Sequence, residues 1–166
     1  MAADLLQLVF PLLLLYAATM DVLTMRIANG ISIALLVAFL IIAPIAGMPL
    51  ATMLVHLAIG AAALLLGMVL FQFRLVGGGD VKLLSAAAVW IGYEQLVPFV
   101  VWVTIVGGLL ALFVLAYRNF PAGALPLPGW ALRLHKQGEG MPYGVAITAG
   151  ALIVYPASSV PQLLLG

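Results

Sequence analysis

Val76-Gly77-Gly78-Gly79-Asp80-Val81-Lys82-Leu83 sets three glycines, an acid and a base inside a chain that is 66% hydrophobic and 7% charged. The stretch separates two apolar segments, and the second is short. A helix over residues 81–92 reaches roughly 18 Å at about 1.5 Å per residue, whereas the hydrocarbon core of a bilayer is about 30 Å thick. Broken backbone at that depth is tolerated only where protein buries it or where it lines a wet cavity. Glycine suits such a break, because it reaches dihedral angles closed to other residues and lets neighbouring chains come close. Asp80 is then expected to open the fourth helix, its carboxylate near free backbone N–H groups, in a water-accessible pocket near the cytoplasmic surface. An ordinary loop with an acidic helix cap accounts for the same letters.

Composition settles the solvent. A mean hydropathy of +1.31, with six basic and five acidic residues in 166, excludes a soluble globule, which needs about a quarter of its residues charged. The chain reads as all-α, a polytopic membrane protein forming a single domain over residues 1–166. Long apolar runs without two-residue alternation argue against a β-barrel. A net charge of +1 leaves no basic patch for nucleic acid. Zero cysteines exclude disulfides, thiolate zinc sites and thiol nucleophiles. Residues 1–7 hold Asp4 and no base, unlike a secretory signal, so the first apolar run is expected to be a retained helix.

Requiring about 20 apolar residues per span divides the chain into six transmembrane helices: Leu5–Thr24, then 31–47, 50–73, the short fourth at 81–92, 96–117, and 142–155 with a continuation toward residue 165. Asn29 is the expected N-cap of the second. Residues 118–141 form a longer link of mixed character. Arg26 falls in the first link, Arg74 and Lys82 flank the third, and Arg118, Arg133 and Lys136 fall in the fifth, while the second and fourth links hold no base. All six bases therefore lie on one side, which is cytoplasmic, and both termini lie outside.

Asp21 lies one turn before the first link, still inside the apolar run. An ionised Asp at mid-helix costs about 2.5–3.5 kcal/mol to insert, and intramembrane acids usually face the bundle interior. Snorkelling, or pairing with Arg26, is the plainer account. Asp4, Glu94 and Glu139 fall in ends or links, so Asp21 and Asp80 alone stand at the cytoplasmic edge of helices, on the same side. Two close carboxylates in a poorly solvated site share a proton. Such a pair activates water as a base and protonates a leaving amine as an acid, which is the chemistry of aspartic proteolysis. Buried carboxylates also serve proton relays, so a proton- or ion-coupled transporter is the alternative. An inactive membrane scaffold is a weaker one.

Three motifs together resemble the prepilin peptidases, intramembrane aspartic proteases with a Gly-x-Gly-Asp signature, in their short form serving tight-adherence (Flp-type) pili. Gly77-Gly78-Gly79-Asp80 matches that signature and Val81-Lys82-Leu83-Leu84 continues it. Asp21 with Arg26 and Asn29 resembles the segment of the first aspartate, although Ala28 stands where a proline is common. Pro142-Tyr143-Gly144 resembles the segment opening the last helix. The resemblance implies Asp21 and Asp80 as catalytic residues, with no metal or organic cofactor. It implies a pilin precursor as substrate, with a short basic leader and an apolar helix, cut at the cytoplasmic boundary of a bacterial inner membrane, typically after a glycine. Pilus-assembly machinery and membrane lipid are the remaining expected partners. Longer relatives methylate the new amino terminus and carry a cysteine-rich insert after the first helix; that link is short here, so no methyltransferase activity is expected. Preflagellin or general type IV specificity stays open.

Arg26 and Lys82 either tune the acid pair or anchor helices at headgroups, the latter being preferred. Tyr143 and Gly144 either shape the substrate cleft or, for Tyr143, sit in an interfacial belt. His56 is expected as a core histidine bonded to a neighbouring helix. The segment from Trp130 to Lys136 is expected to rest on the membrane surface. Gly60-Ala61-Ala62-Ala63 and Gly107-Gly108 suit close helix packing.

Overall fold

The computed structural model describes residues 2–119, 129–135 and 140–165; Lys136 and Glu139, assigned above to the fifth link, lie outside them. The described elements are helical: α1 (Ala2–Thr24), α2 (Asn29–Ile45), α3 (Leu50–Gln72), α4 (Gly78–Ile91), α5 (Leu96–Arg118), α6 (Gly129–His135), α7 (Tyr143–Val154), a 3-10 turn (Tyr155–Ala157) and α8 (Ser159–Leu165). Leu5–Thr24 of α1, α3 and α5 are long and apolar enough to cross a membrane; α7 with its turn and α8, bent by 42°, make up to four. The apolar α2 is shorter, and α4 has 14 residues. The order of the expected segments is reproduced, but by length three or four of the six reach across unaided.

Three local expectations need correction. The break falls at residues 73–77 and takes in only one of the three glycines: Gly77 is the N-cap of α4, and Gly78 and Gly79 belong to its first turn. None of the three has positive φ, which among the described glycines occurs at Gly47 and Gly92. Their value is the missing Cβ. Asn29 is not an N-cap either; Ala28 holds that position, and the Asn29 Oδ1 accepts a hydrogen bond from Lys82 Nζ at 2.9 Å. The last segment does not run on as one helix, because Pro156 lacks the N–H that would continue it, and the chain passes through the 3-10 turn into α8.

α4 is the centre of the bundle: Val81, Leu83 and the residues from Ser85 to Ile91 are buried. α3 lies antiparallel to it, with Gly67 facing Val81 and Gly60 facing Val89, and a Cβ at either glycine would collide with those side chains. Close packing over small residues is what helices use in lipid. In the alanine-rich run after it, Gly60 makes this contact, whereas Ala61 and Ala62 are exposed. α2 braces another face of α4, Trp90 Nε1 donating to the Leu35 carbonyl at 2.9 Å. Phe10 stacks on Trp90 at 5.0 Å, and Phe39 and Tyr155 complete an aromatic cluster around the last turn of α4. His56 is the core histidine expected. It is fully buried, its Nδ1 is 2.7 Å from the Val89 carbonyl, and its ring stacks on Phe39. Val89 lies in the last turn of α4, where carbonyls lack intrahelical partners, so His56 caps the helix end from α3.

α7 runs antiparallel to α1 and is tied to it by polar bonds: Thr148 Oγ1 donates to the Leu14 carbonyl at 3.0 Å and Tyr155 Oη to the Gln7 carbonyl at 3.2 Å. α6 is tied at both ends of its short length. The Ala131 carbonyl accepts from Tyr117 and the Leu134 carbonyl from Arg118, while Arg133 donates to the Leu23 carbonyl at the end of α1. Trp130 and Leu132 stay exposed, which fits an element lying on the bundle at its polar edge.

Gly60→Leu should lower the thermal unfolding midpoint in detergent by an amount matching an overpacking cost of about 1–3 kcal/mol. Gly108→Leu, where a Cβ meets nothing within 4 Å, should leave the midpoint in place.

Candidate active site

Two helix N-termini converge on one end of the bundle, and each receives a carboxylate. Asp21, in the last turn of α1, is 5% exposed, and its Oδ2 accepts a hydrogen bond from the Gly144 N–H at 2.7 Å. Gly144 is the second residue of α7, where backbone donors are free of intrahelical partners. A Cβ on Gly144 would stand 2.8 Å from that oxygen and 3.1 Å from Ile27 Cδ1. Asp80 is the third residue of α4, half-buried, and its carboxylate reaches back to the N–H of Gly77, the N-cap. This is the acidic half of a capping box. A Cβ on Gly77 would come within 2.6 Å of Asp80 Oδ2. The positive ends of both helices therefore complement negative charge at the acids.

Asp21 and Asp80 line one cavity of about 720 Å³, with Arg26, Ile27 and Tyr143 among the other residues on its wall. Asp21 is near enough for its charge to act on Asp80. Asp21 takes its hydrogen bond from backbone rather than from Arg26, so the plainer account of that residue is set aside.

The supporting residues divide. Gly79 is needed for proximity, since a Cβ there would meet Ile27 Cβ at 3.2 Å; at Gly78 the nearest atom is Phe71 at 3.4 Å, an ordinary contact. Pro142 is buried as the N-cap of α7. The Tyr143 ring lies against Gly107 of α5, where an added Cβ would approach it to 2.7 Å. Arg26 is exposed and lines the cavity. Lys82 does not: it bonds Asn29 and lines a separate groove between α2 and α3. His56 lies in the core, bonded at the far end of α4.

Reading the sequence missed Ile27. Its side chain lies against Gly79 of α4 and Gly144 of α7 and thereby sets the spacing of the two helix starts. The available signal was a single β-branched residue in a short link between two helices. Met25 was missed as well; it lines the cavity with φ 54°, and Arg74, just beyond α3, has φ 58°. Left-handed conformations of this kind cost about 1–3 kcal/mol in non-glycine residues and need surrounding structure to hold them.

Apolar helices, three or four of them long enough to cross a bilayer, are the build of a polytopic membrane protein, and a cavity lined by two acids lies at one end of the bundle. The sequence model of the type IV leader peptidase family matches residues 8–112, well over half of the chain, and the chain belongs to that family. The matched region includes Asp21 and Asp80 and ends before Pro142, Tyr143 and Gly144. No curated protein and no solved structure matches the chain significantly. Family membership makes the protein a peptidase, and nothing supports the transporter alternative.

Gly144→Ala should lower peptidase activity about a hundredfold, because an ångström-scale displacement of a reacting group has that order of effect. Gly30→Ala, at a position with open space around it, should retain wild-type rates in the same precursor-cleavage assay.

Proposed function

We propose that the chain is an aspartic endopeptidase that removes the leader of prepilins at the cytoplasmic boundary of a bacterial inner membrane. Asp21 and Asp80 are its catalytic pair. The observation that carries this reading is the cavity they share, with each carboxylate steadied by one backbone N–H at a helix start.

The chemistry follows from the pair. One carboxylate, ionised, takes a proton from water as the water oxygen attacks the scissile carbonyl carbon. The other, protonated, donates to the carbonyl oxygen. Collapse of the tetrahedral intermediate breaks the C–N bond, and a proton passes from the pair to the departing amine, leaving a new carboxyl terminus and a free amino terminus. The acids titrate as a unit. No metal, organic cofactor or covalent intermediate is needed.

Substrate and topology complete the proposal. The chain crosses the membrane six times with both termini outside, α2 and α4 being spans too short to cross without cavity or thinned bilayer beside them. Residues 1–166 act as a single peptidase domain. The specificity is of the short Flp type: residues 25–28 alone connect α1 to α2, which leaves no place there for a cysteine-rich insert, and methyltransferase activity is not part of the function. Partners are a pilin precursor, the pilus-assembly machinery and lipid.

Asp21→Asn and Asp80→Asn, made separately, should each lower leader removal by about 10²–10⁴-fold when the enzyme is co-expressed with its pilin and the product weighed by mass spectrometry. Normal processing by either variant would refute the role of that residue.

The native chain has no cysteine, so single cysteines report topology directly. An impermeant maleimide applied to spheroplasts should label Tyr93→Cys and leave Phe73→Cys unlabelled. Both positions are exposed, and the reverse pattern would invert the proposed orientation.

A further inference from the structure

Asp80 has two approaches. One is the polar cavity it shares with Asp21. The other is an apolar groove of about 320 Å³, floored by Val81 and Leu84 of α4 and walled by Ala63 and Leu66 of α3 and Val100 of α5. Val76, Asp80 and Tyr143 line both spaces, so groove and cavity meet at the carboxylate. The α3 wall extends from Ile59 to Leu70, a rise of about 17 Å or three turns. Ala62, Ala63 and Gly67 keep that wall shallow, which permits close approach of another helix.

We infer that this groove seats the apolar helix of the substrate, which enters sideways between α3 and α5 and brings the bond preceding it to Asp80. The inference rests on the peptidase reading above. Its ground is continuity: an occupant of the groove becomes polar at the point where the groove opens into the cavity, as a chain does where an apolar helix joins a charged leader. The space takes the side chains along one face of a helix rather than a whole helix. A phospholipid fits poorly, because its phosphate would meet a carboxylate at the groove's inner end. The contrasting groove lies between α2 and α3, measures about 480 Å³, has Lys82, Asn29 and Ser85 among its lining residues, and is not lined by either aspartate. It serves as the internal control.

Single cysteines in the cysteine-free chain test the seat. Leu66→Cys and Ile33→Cys are exposed positions in the two grooves, 64% and 60% accessible. Each is combined with Asp21→Asn to retain uncleaved precursor, and paired in membranes with a pilin carrying one cysteine in the first turns of its apolar helix. Oxidation should join the precursor to Leu66→Cys and not to Ile33→Cys. A cross-link at Ile33→Cys, or none at Leu66→Cys while the wild-type chain processes the same precursor, overturns the inference. A wild-type chain that leaves the precursor intact defeats the peptidase reading itself, and this inference with it. In the active enzyme, Ala63→Phe should raise KM for the precursor several-fold with kcat little changed. It should leave cleavage of a soluble peptide lacking the apolar helix at the wild-type rate. An unchanged KM for the precursor would also overturn the seat.

Discussion

A carboxyl group inside an apolar bundle has to be met by donors that the bundle itself supplies. Asp21 is almost wholly buried, and its hydrogen bond comes from the Gly144 N–H. An ionised acid at membrane depth costs about 2.5–3.5 kcal/mol, and a hydrogen bond to a charged group contributes about 1.5–3 kcal/mol; the bond from Gly144 and the helix N-terminus behind it offset part of the penalty. The requirement propagates outward. Gly144 serves only if α7 starts beside the end of α1, and that placement is held by the bonds from Thr148 and Tyr155 to carbonyls of α1.

The second acid obeys the same logic through a different local device. Asp80 finds its donor within its own first turn, at Gly77, so its position depends on where α4 begins and how tightly that helix is held. Gly60 and Gly67 of α3 allow the two backbones to close on each other, and His56 caps the far end. Ile27 then spaces the starts of α4 and α7. A helix of 14 residues is thus stabilised mostly by what surrounds it.

The glycines of the central motif illustrate how the same residues admit two physical explanations. From sequence they read as conformational freedom, a break in a helix. In the fold their φ values are ordinary and their use is steric: Gly77 clears a carboxylate and Gly79 clears Ile27. Lys82, two residues after the acid, turns to the opposite side of α4 and bonds Asn29. Two positions along a helix from Asp80 is enough to leave its face, since helical neighbours lie three or four residues apart.

The sequence by itself determined the solvent, the all-helical class, the order of the apolar segments and the two acids worth attention, because hydropathy and the cost of charge in lipid are properties of residues read one at a time. It also pointed to Pro142, Tyr143 and Gly144, through a resemblance. Only the tertiary structure decided that Asp21 and Asp80 open on one cavity, that Gly144 is the donor to Asp21, and that Ile27 sets the distance between the helix starts. Those facts join residues from about fifty to more than a hundred positions apart, and they depend on which face each helix turns inward. Helices that are apolar nearly all round carry little periodic signal from which that rotation could be read.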